Sequence, residues 1–475
     1  MTAGSFAPRP LLGRAALLLA DPARTLAAAG VLLPLVVAAL LAVHPLGPLV
    51  LVGAAAVAWL FFWPTRRLLV LVLLYVPFHV YLFGREMLTG HKAALGPFTV
   101  VGVGKDLLLL FVLASWLFAT LSGRGERARG RAAGAWLLAF LGWALIHVAD
   151  VSSLALGAWG FRNYAEYAAL FFVAAGAAGG AARVRASLLV LVFSAVPVMI
   201  YGAFELFTNR LLQALAAGVL SMEDRLAGVF GGFHATNAYA VYLVIVILAA
   251  LGSLRSARSG ALRLFLVAAA AFAAASLLFT FSRRAWLATI AGGLVLAALS
   301  RRRAPILLAL AGAAVAAFAL APSVVAERFQ TVFETASAAN RGRVVEWRLV
   351  LGRVFADPAS ALWGIGLGRV GPVAQEFGVP GAVSTHNAYV CLLGELGLPG
   401  LALFLAAMAA VLARGLRVVR NARDETTAAA AGALLAILVA LLVTGLAGVT
   451  LQTFPSSMYF WLLAGLLTHL TEEES

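Results

Sequence analysis

The stretch AAAAGALLAILVALLVTG, residues 428–445, runs without one charged side chain and without a polar face at helical spacing. A helix that is apolar all round is either enclosed by a large core or surrounded by lipid, and about 20 such residues cross the roughly 30 Å hydrocarbon layer of a bilayer. Composition decides between the two. Of 475 residues, 63% are hydrophobic and only 12% charged, and the mean hydropathy is +0.99; soluble domains are about half apolar and about a quarter charged. The chain is a polytopic membrane protein.

Working outward from 427–447, apolar windows recur at 25–43, 46–63, 68–83, 105–122, 133–149, 164–180, 187–207, 237–254, 264–281, 285–300, 305–321, 386–411 and 454–470. The sequence thus predicts about 12–14 transmembrane helices in a single all-α integral membrane domain, 1–475. Residues 11–20 are too short to span and are expected along the inner interface. The first span is read as an uncleaved anchor. One cysteine, Cys391, excludes an intrachain disulfide and any cysteine-based metal site.

Basic clusters fall on alternate connections: TRR (65–67), RGERARGR (124–131), RVR (183–185), RSARSGALR (255–263), RRR (301–303) and RGLRVVRNAR (414–423). The positive-inside rule makes that side cytoplasmic. The net charge of +15 then serves topology and contact with anionic membrane lipids, and with no soluble domain to carry it, nucleic acid is not an expected partner.

The remaining connections, 84–104, 150–162, 208–236, 282–284 and 322–385, face outside. The last is far longer than an ordinary helix connection, and loops of that length usually carry function or structure of their own. Within it RGRVVEWRLVLGRVF (341–355) reads as an amphipathic helix with Val345, Leu349 and Val350 on its apolar side. GIGLGRVG (364–371) reads as a bent, close-packed loop, since no parallel-sheet pattern flanks it. Positive charge collects on this side against the topological bias: Arg162, Arg210, Arg225, Arg283, Arg284, Arg328, Arg341, Arg343, Arg348, Arg353 and Arg369. Some reach lipid phosphates. Arg283 and Arg284, however, interrupt an apolar run, where ionisable groups default to function, and guanidinium grips phosphate oxygens in a bidentate fork.

Four stretches together resemble the O-antigen ligase and polymerase family of bacterial envelope enzymes: RLAGVFGGFHATNAYA (225–240), FSRRAW (281–286), GRVVEW (342–347) and HNAYVCLLGELGLPG (386–400). The resemblance covers 225–400, and the earlier spans match only in being helical. It implies a GT-C-like glycosyltransferase on the periplasmic face of the inner membrane that passes a glycan from undecaprenyl diphosphate to an acceptor hydroxyl, which for ligases lies on the lipid A-core. Arg225 and Arg283 match the family's donor-diphosphate arginines, and His386 its histidine proposed to activate the acceptor. Arg343 and Glu395 match motif positions of less defined role. Arg284 stands where the family has a small residue, which leaves open which of Arg283 and Arg284 meets the donor.

The chemistry is coherent by itself. A hydroxyl attacking an anomeric carbon needs a base near neutral pH, which imidazole supplies, and the departing lipid diphosphate needs its charge offset by a divalent ion or by fixed cations. Arginines are plentiful here and no Asp-x-Asp occurs, so a metal-independent transfer without cofactors is expected. Asn387 either caps a helix or orients His386. Glu395 is either a buried partner of an arginine or part of the site, and His234 lies beside the donor motif. Trp286, Trp347 and Trp363 fit either sugar stacking or an interfacial belt. A polymerase with a glycan acceptor, a protein O-oligosaccharyltransferase, and a lipid-linked glycan flippase remain as alternatives; the flippase would place its charges along helix interiors and not at one face. For topology, a cysteine at Ser337 is expected to react with an impermeant thiol reagent from outside the cell and one at Ser256 is not; reversed labelling would overturn the orientation.

Overall fold

The computed structural model describes residues 65–83, 94–95, 98–123, 130–149, 153–177, 179–208, 236–300, scattered positions between 303 and 315, and 338–470, all within the compact unit Pro64–Ser475. The expected spans 25–43 and 46–63, most of 305–321, and the interfacial segment 11–20 lie outside these residues. The order is α1 (Thr65–Phe83), a two-residue hairpin of β1 (Ala94–Leu95) and β2 (Phe98–Thr99), α2 (Val100–Leu121), α3 (Arg131–Ile146), α4 (Leu154–Ala177), α5 (Ala181–Thr208), α6 (Thr236–Ser253), α7 (Gly260–Phe279), α8 (Arg283–Leu299), α9 (Ala338–Val354), α10 (Pro358–Trp363), α11 (Gly371–Glu376), α12 (Ala388–Asn421), α13 (Glu425–Gly445) and α14 (Ser456–His469). Apart from the hairpin this is an all-α, multi-pass membrane fold. Among the described residues, five helices are long and apolar enough to cross a bilayer: α5, α6 with the turn after it, α7, α12 and α13.

α6, α13 and α14 form the centre. Tyr239 to Ala250 and nearly all of 429–441 are buried, and every residue of α14 is enclosed. Between lipid-soluble helices there is no hydrophobic drive to associate, so close backbone approach through small residues carries the packing. A side chain at Gly465 of α14 would strike the Phe171 carbonyl of α4 at 2.4 Å, and one at Gly292 of α8 would meet the Ala436 carbonyl of α13 at 2.8 Å.

α12 is broken. At Gly397 the backbone turns to φ 66°, ψ −172°, two residues before Pro399. A break frees carbonyls that lipid cannot satisfy, so protein must cover them. The Gly394 carbonyl accepts Ile365 N–H at 2.6 Å, and the Leu396 carbonyl accepts the Trp143 indole N–H at 2.9 Å. The acceptor of the first bond is reached because GIGLGRVG folds against the break with positive φ at Gly364, Gly366, Gly368 and Gly371. A Cβ on Gly364 would lie 2.7 Å from the Gly394 carbonyl. The run is the bent, close-packed loop that its composition implied.

The alternation of basic connections is visible in the packing. Arg185 donates to Ser256 at 2.9 Å, Gly130 abuts Arg414, and Arg255 and Arg420 line one cavity. Gly130 and the segments 183–185, 255–263 and 414–423 therefore meet at one end of the bundle.

Three sequence expectations need correction. α4 starts at Leu154, not near 164, because the small side chains of this stretch let it pack: a Cβ on Gly160 would sit 2.8 Å from Gly368 N. Most of 414–423 is the end of α12 and not a loop; its arginines extend past the apolar zone, and Arg414 donates to the Thr468 and Leu470 carbonyls at 2.7 and 3.0 Å, closing the end of α14. On α9 only Val350 of the three named apolar residues is buried. Its buried stripe continues one turn on to Val354, whereas Val345 and Leu349 are 53% and 49% exposed.

Gly397→Ala combines a positive φ with a Cβ 2.1 Å from the Leu362 carbonyl. It is expected to lower stability by at least the roughly 1–3 kcal/mol of a left-handed non-glycine residue, read as a reduced thermal midpoint in detergent. Gly352→Ala, which meets open space on α9, should leave that midpoint unchanged or higher.

Candidate functional site

Opposite the basic end, four helix ends meet. α8 begins at Arg283, with Ser282 as the preceding cap residue, so Arg283 and Arg284 occupy a first helical turn and not the turn expected at 282–284. The Ser282 hydroxyl donates to Asn237 Oδ1 at 3.0 Å, which ties the start of α8 to the start of α6. Arg284 Nη1 donates to the Ala447 carbonyl at 3.1 Å, beyond the end of α13. The next residue, Gly448, accepts Ala388 N–H at 3.1 Å at the start of α12. Arg284 and the residue two after His386 are thus fastened to adjacent links of one loop.

His386 does not itself begin the helix. Asn387 is the N-cap, its Oδ1 accepting Tyr389 and Val390 N–H at 2.9 and 3.1 Å. His386 stands just before it, with its side chain half exposed. Among the described residues, the two non-glycine residues with positive φ are Phe281 (50°) and His386 (42°), one on each side of the meeting point; such strain persists only where surroundings over-determine the backbone. Those surroundings are visible at 384–387. Trp347 donates its indole N–H to the Thr385 carbonyl, and the Thr385 hydroxyl donates to the Asn387 carbonyl at 2.9 Å.

His386 Nδ1 lies 3.1 Å from Glu346 Oε2 on α9 and 3.2 Å from Ser384 Oγ. An ionised carboxylate only accepts, so it selects the tautomer with hydrogen on Nδ1 and the lone pair on Nε2. Arg343 lies three residues before Glu346, on the same side of α9. It stands close enough to Arg283 and Arg284 for its positive charge to act on both. One short helix therefore presents a carboxylate to the histidine and a guanidinium to the arginine pair.

Glu395 is enclosed, about two turns into α12 from its Asn387 cap. Its partners are the Tyr164 hydroxyl and Gly368 N–H, the latter at 3.0 Å; Gln452 in turn donates to Tyr164 at 3.2 Å. The arginine partner expected for a buried Glu395 is replaced by these neutral donors. They bind the glycine run to the first part of α12, so Glu395 supports the platform on which His386 sits.

Arg225 and His234 lie outside the described residues, as does Arg210. Arg162, counted among the arginines on the unexpected side, is satisfied within the chain: it pairs with Asp106 and Glu166, which also hold Lys105. Trp286 donates to the Leu277 carbonyl at 3.2 Å, and Trp363 stacks on Trp143 at 5.1 Å. His147 and His469 are buried and hydrogen-bonded to backbone groups. Among the described residues no group of three or more His, Cys, Asp or Glu is placed to hold a metal ion.

Residues 268–405 match the family model described as O-antigen ligase. The chain thus carries a domain that matches the O-antigen ligase family model. A comparison with curated proteins finds no match. The domain takes in FSRRAW, GRVVEW and HNAYVCLLGELGLPG, the three motifs whose contacts are described above, and leaves Arg225 to its amino-terminal side. Sequence reading did not single out Glu346 or Asn237, although both stood inside quoted motifs of the O-antigen ligase domain and its flank. The available signal for Glu346 was helical spacing from Arg343 next to a tryptophan.

Proposed function

We propose that this protein is an O-antigen ligase: a GT-C-like glycosyltransferase of the bacterial inner membrane that moves a glycan from undecaprenyl diphosphate to a hydroxyl of lipid A-core at the periplasmic face. One observation carries the reading. His386, held by Glu346 of α9, precedes a helix whose first residue is fastened to the same loop as Arg284 of α8, and Arg343 of α9 stands within reach of the Arg283–Arg284 pair, so a base and a cluster of cations stand near one another.

In the proposed step His386 Nε2 takes the acceptor hydroxyl proton as that oxygen bonds to the anomeric carbon. The bond from the same carbon to the carrier's phosphate oxygen breaks, and its electron pair leaves with the lipid diphosphate. Arg283, Arg284 and Arg343, joined by Arg225, offset the charge that gathers on the leaving group. Glu346, 3.1 Å from Nδ1, fixes the orientation of the imidazole while Nε2 takes the proton. Fixed guanidinium groups supply the neutralisation that other transferases obtain from a divalent ion, and the transfer is metal-independent.

His386→Ala is expected to lower turnover by about 10²-fold or more, the usual contribution of a general base, with donor binding nearly intact. Arg283→Ala and Arg284→Ala should weaken donor binding together with turnover, because the contact is lost in ground and transition states alike. Carrier affinity and single-turnover rate, with folding checked by gel filtration in detergent, separate these outcomes; near-normal turnover in His386→Ala would remove it as the base. Purified enzyme in EDTA should keep most of its activity, and a loss restored by magnesium or manganese would reject the metal-independent mechanism.

A further inference from the structure

At the end of the bundle opposite His386 lies a cavity of about 530 Å³. α12 and α8 both run from the candidate site to this cavity, and α13 runs back from it. Its walls are of two kinds. Leu299 from the end of α8, Val419 from α12 and Ala428 from α13 are apolar, and Arg255, Arg420 and Arg423 stand among them. The arginines come from two places more than 150 residues apart in sequence, the turn after α6 and the end of α12 with the residues just past it, so their convergence is a product of the fold.

Two acids also line the cavity, and each is engaged. Asp424 caps α13, its Oδ1 accepting Thr427 N–H at 2.8 Å. Glu425 approaches Arg255 at 3.9 Å, in reach of its charge but beyond a hydrogen bond. Among the described residues no acid pairs with Arg420 or Arg423, which leaves two guanidinium groups in a recess of mixed polar and apolar lining where transmembrane helices end. Basic pockets between membrane helices recognise anionic headgroups, and the volume falls in the range of small-ligand sites. A soluble anion would make no use of Leu299, Val419 and Ala428; a phospholipid would lay the first part of its acyl chains on them.

We propose that this cavity binds the phosphate of an anionic phospholipid, with Arg420 and Arg423 on the phosphate and the apolar wall against the lipid's upper chain. The site is separate from the transfer chemistry and does not depend on it.

The test uses the purified full-length chain and follows its thermal midpoint against dioctanoyl phosphatidylglycerol, dioctanoyl phosphatidylcholine and inorganic phosphate. Phosphatidylglycerol is expected to raise the midpoint saturably and phosphatidylcholine is not. In the double variant R420Q/R423Q the half-saturating concentration should rise about 10- to 30-fold, as for the loss of two basic contacts to a surface anion. Arg417→Gln, exposed on the same helix but outside the cavity, should match the parent. Arg255→Gln, from the other connection, gives an independent variant expected to weaken the lipid several-fold. Equal stabilisation by the zwitterionic lipid, or an unchanged double variant, overturns the proposal. Inorganic phosphate that reproduces the shift and displaces the lipid assigns the cavity to a soluble anion instead, and overturns it equally.

Discussion

A helix broken inside a membrane protein has to hand its unpaired carbonyls to other protein groups, and at Gly397 that obligation organises the upper half of the molecule. Ile365 N–H and the Trp143 indole take the carbonyls of Gly394 and Leu396. To deliver Ile365, the glycine run must fold onto α12; once there, Gly368 meets Glu395 and Gly160, which brings α4 and Tyr164 into the same knot. Cys391, Val350, Val354 and Val370 then close a small apolar core, which seats α9 beside the start of α12. The position of Glu346 over His386 follows from this sequence of obligations, each set by the one before.

The charges at the candidate site are assembled at a cost that the rest of the fold covers. Arg343 of α9 stands near enough to Arg283 and Arg284 for like charges to oppose each other, and among the described residues Phe281 and His386 hold left-handed backbone without being glycine. Neither feature aids folding. Arg284 is held by the Ala447 carbonyl, and the backbone at His386 by Trp347 and the Asn387 cap; both features become useful only to an anionic substrate and a hydroxyl nucleophile under the function proposed above.

Much of the fold was legible because lipid imposes a simple rule on sequence. α5, α6, α7 and α13 lie within a few residues of their apolar windows, and alternate basic connections gather at one end. Hydropathy failed where a helix outlasts its apolar part: Arg414, Arg417 and Arg420 read as loop, although they ride on α12. It failed again at α4, whose first turns hold Arg162 in a network of opposite charges. For the candidate site, the motifs named His386, Arg283, Arg284 and Arg343 as a group, yet the partner of His386 lies 40 residues away on another helix. A pairing of that separation leaves no periodic trace in a single sequence, and Glu346 is visible only once α9 is folded against α12.

The left-handed backbone at His386 also bears on how such a protein would respond to engineering. Glycine and asparagine are the residues that enter this conformation with least penalty, and the exposed imidazole contributes little packing. Selection for heat resistance alone would therefore favour removing the histidine, whereas the proposed reaction requires it. Durability and turnover pull in opposite directions at this one position, and a library screened only for survival at high temperature would be enriched in inert variants altered there.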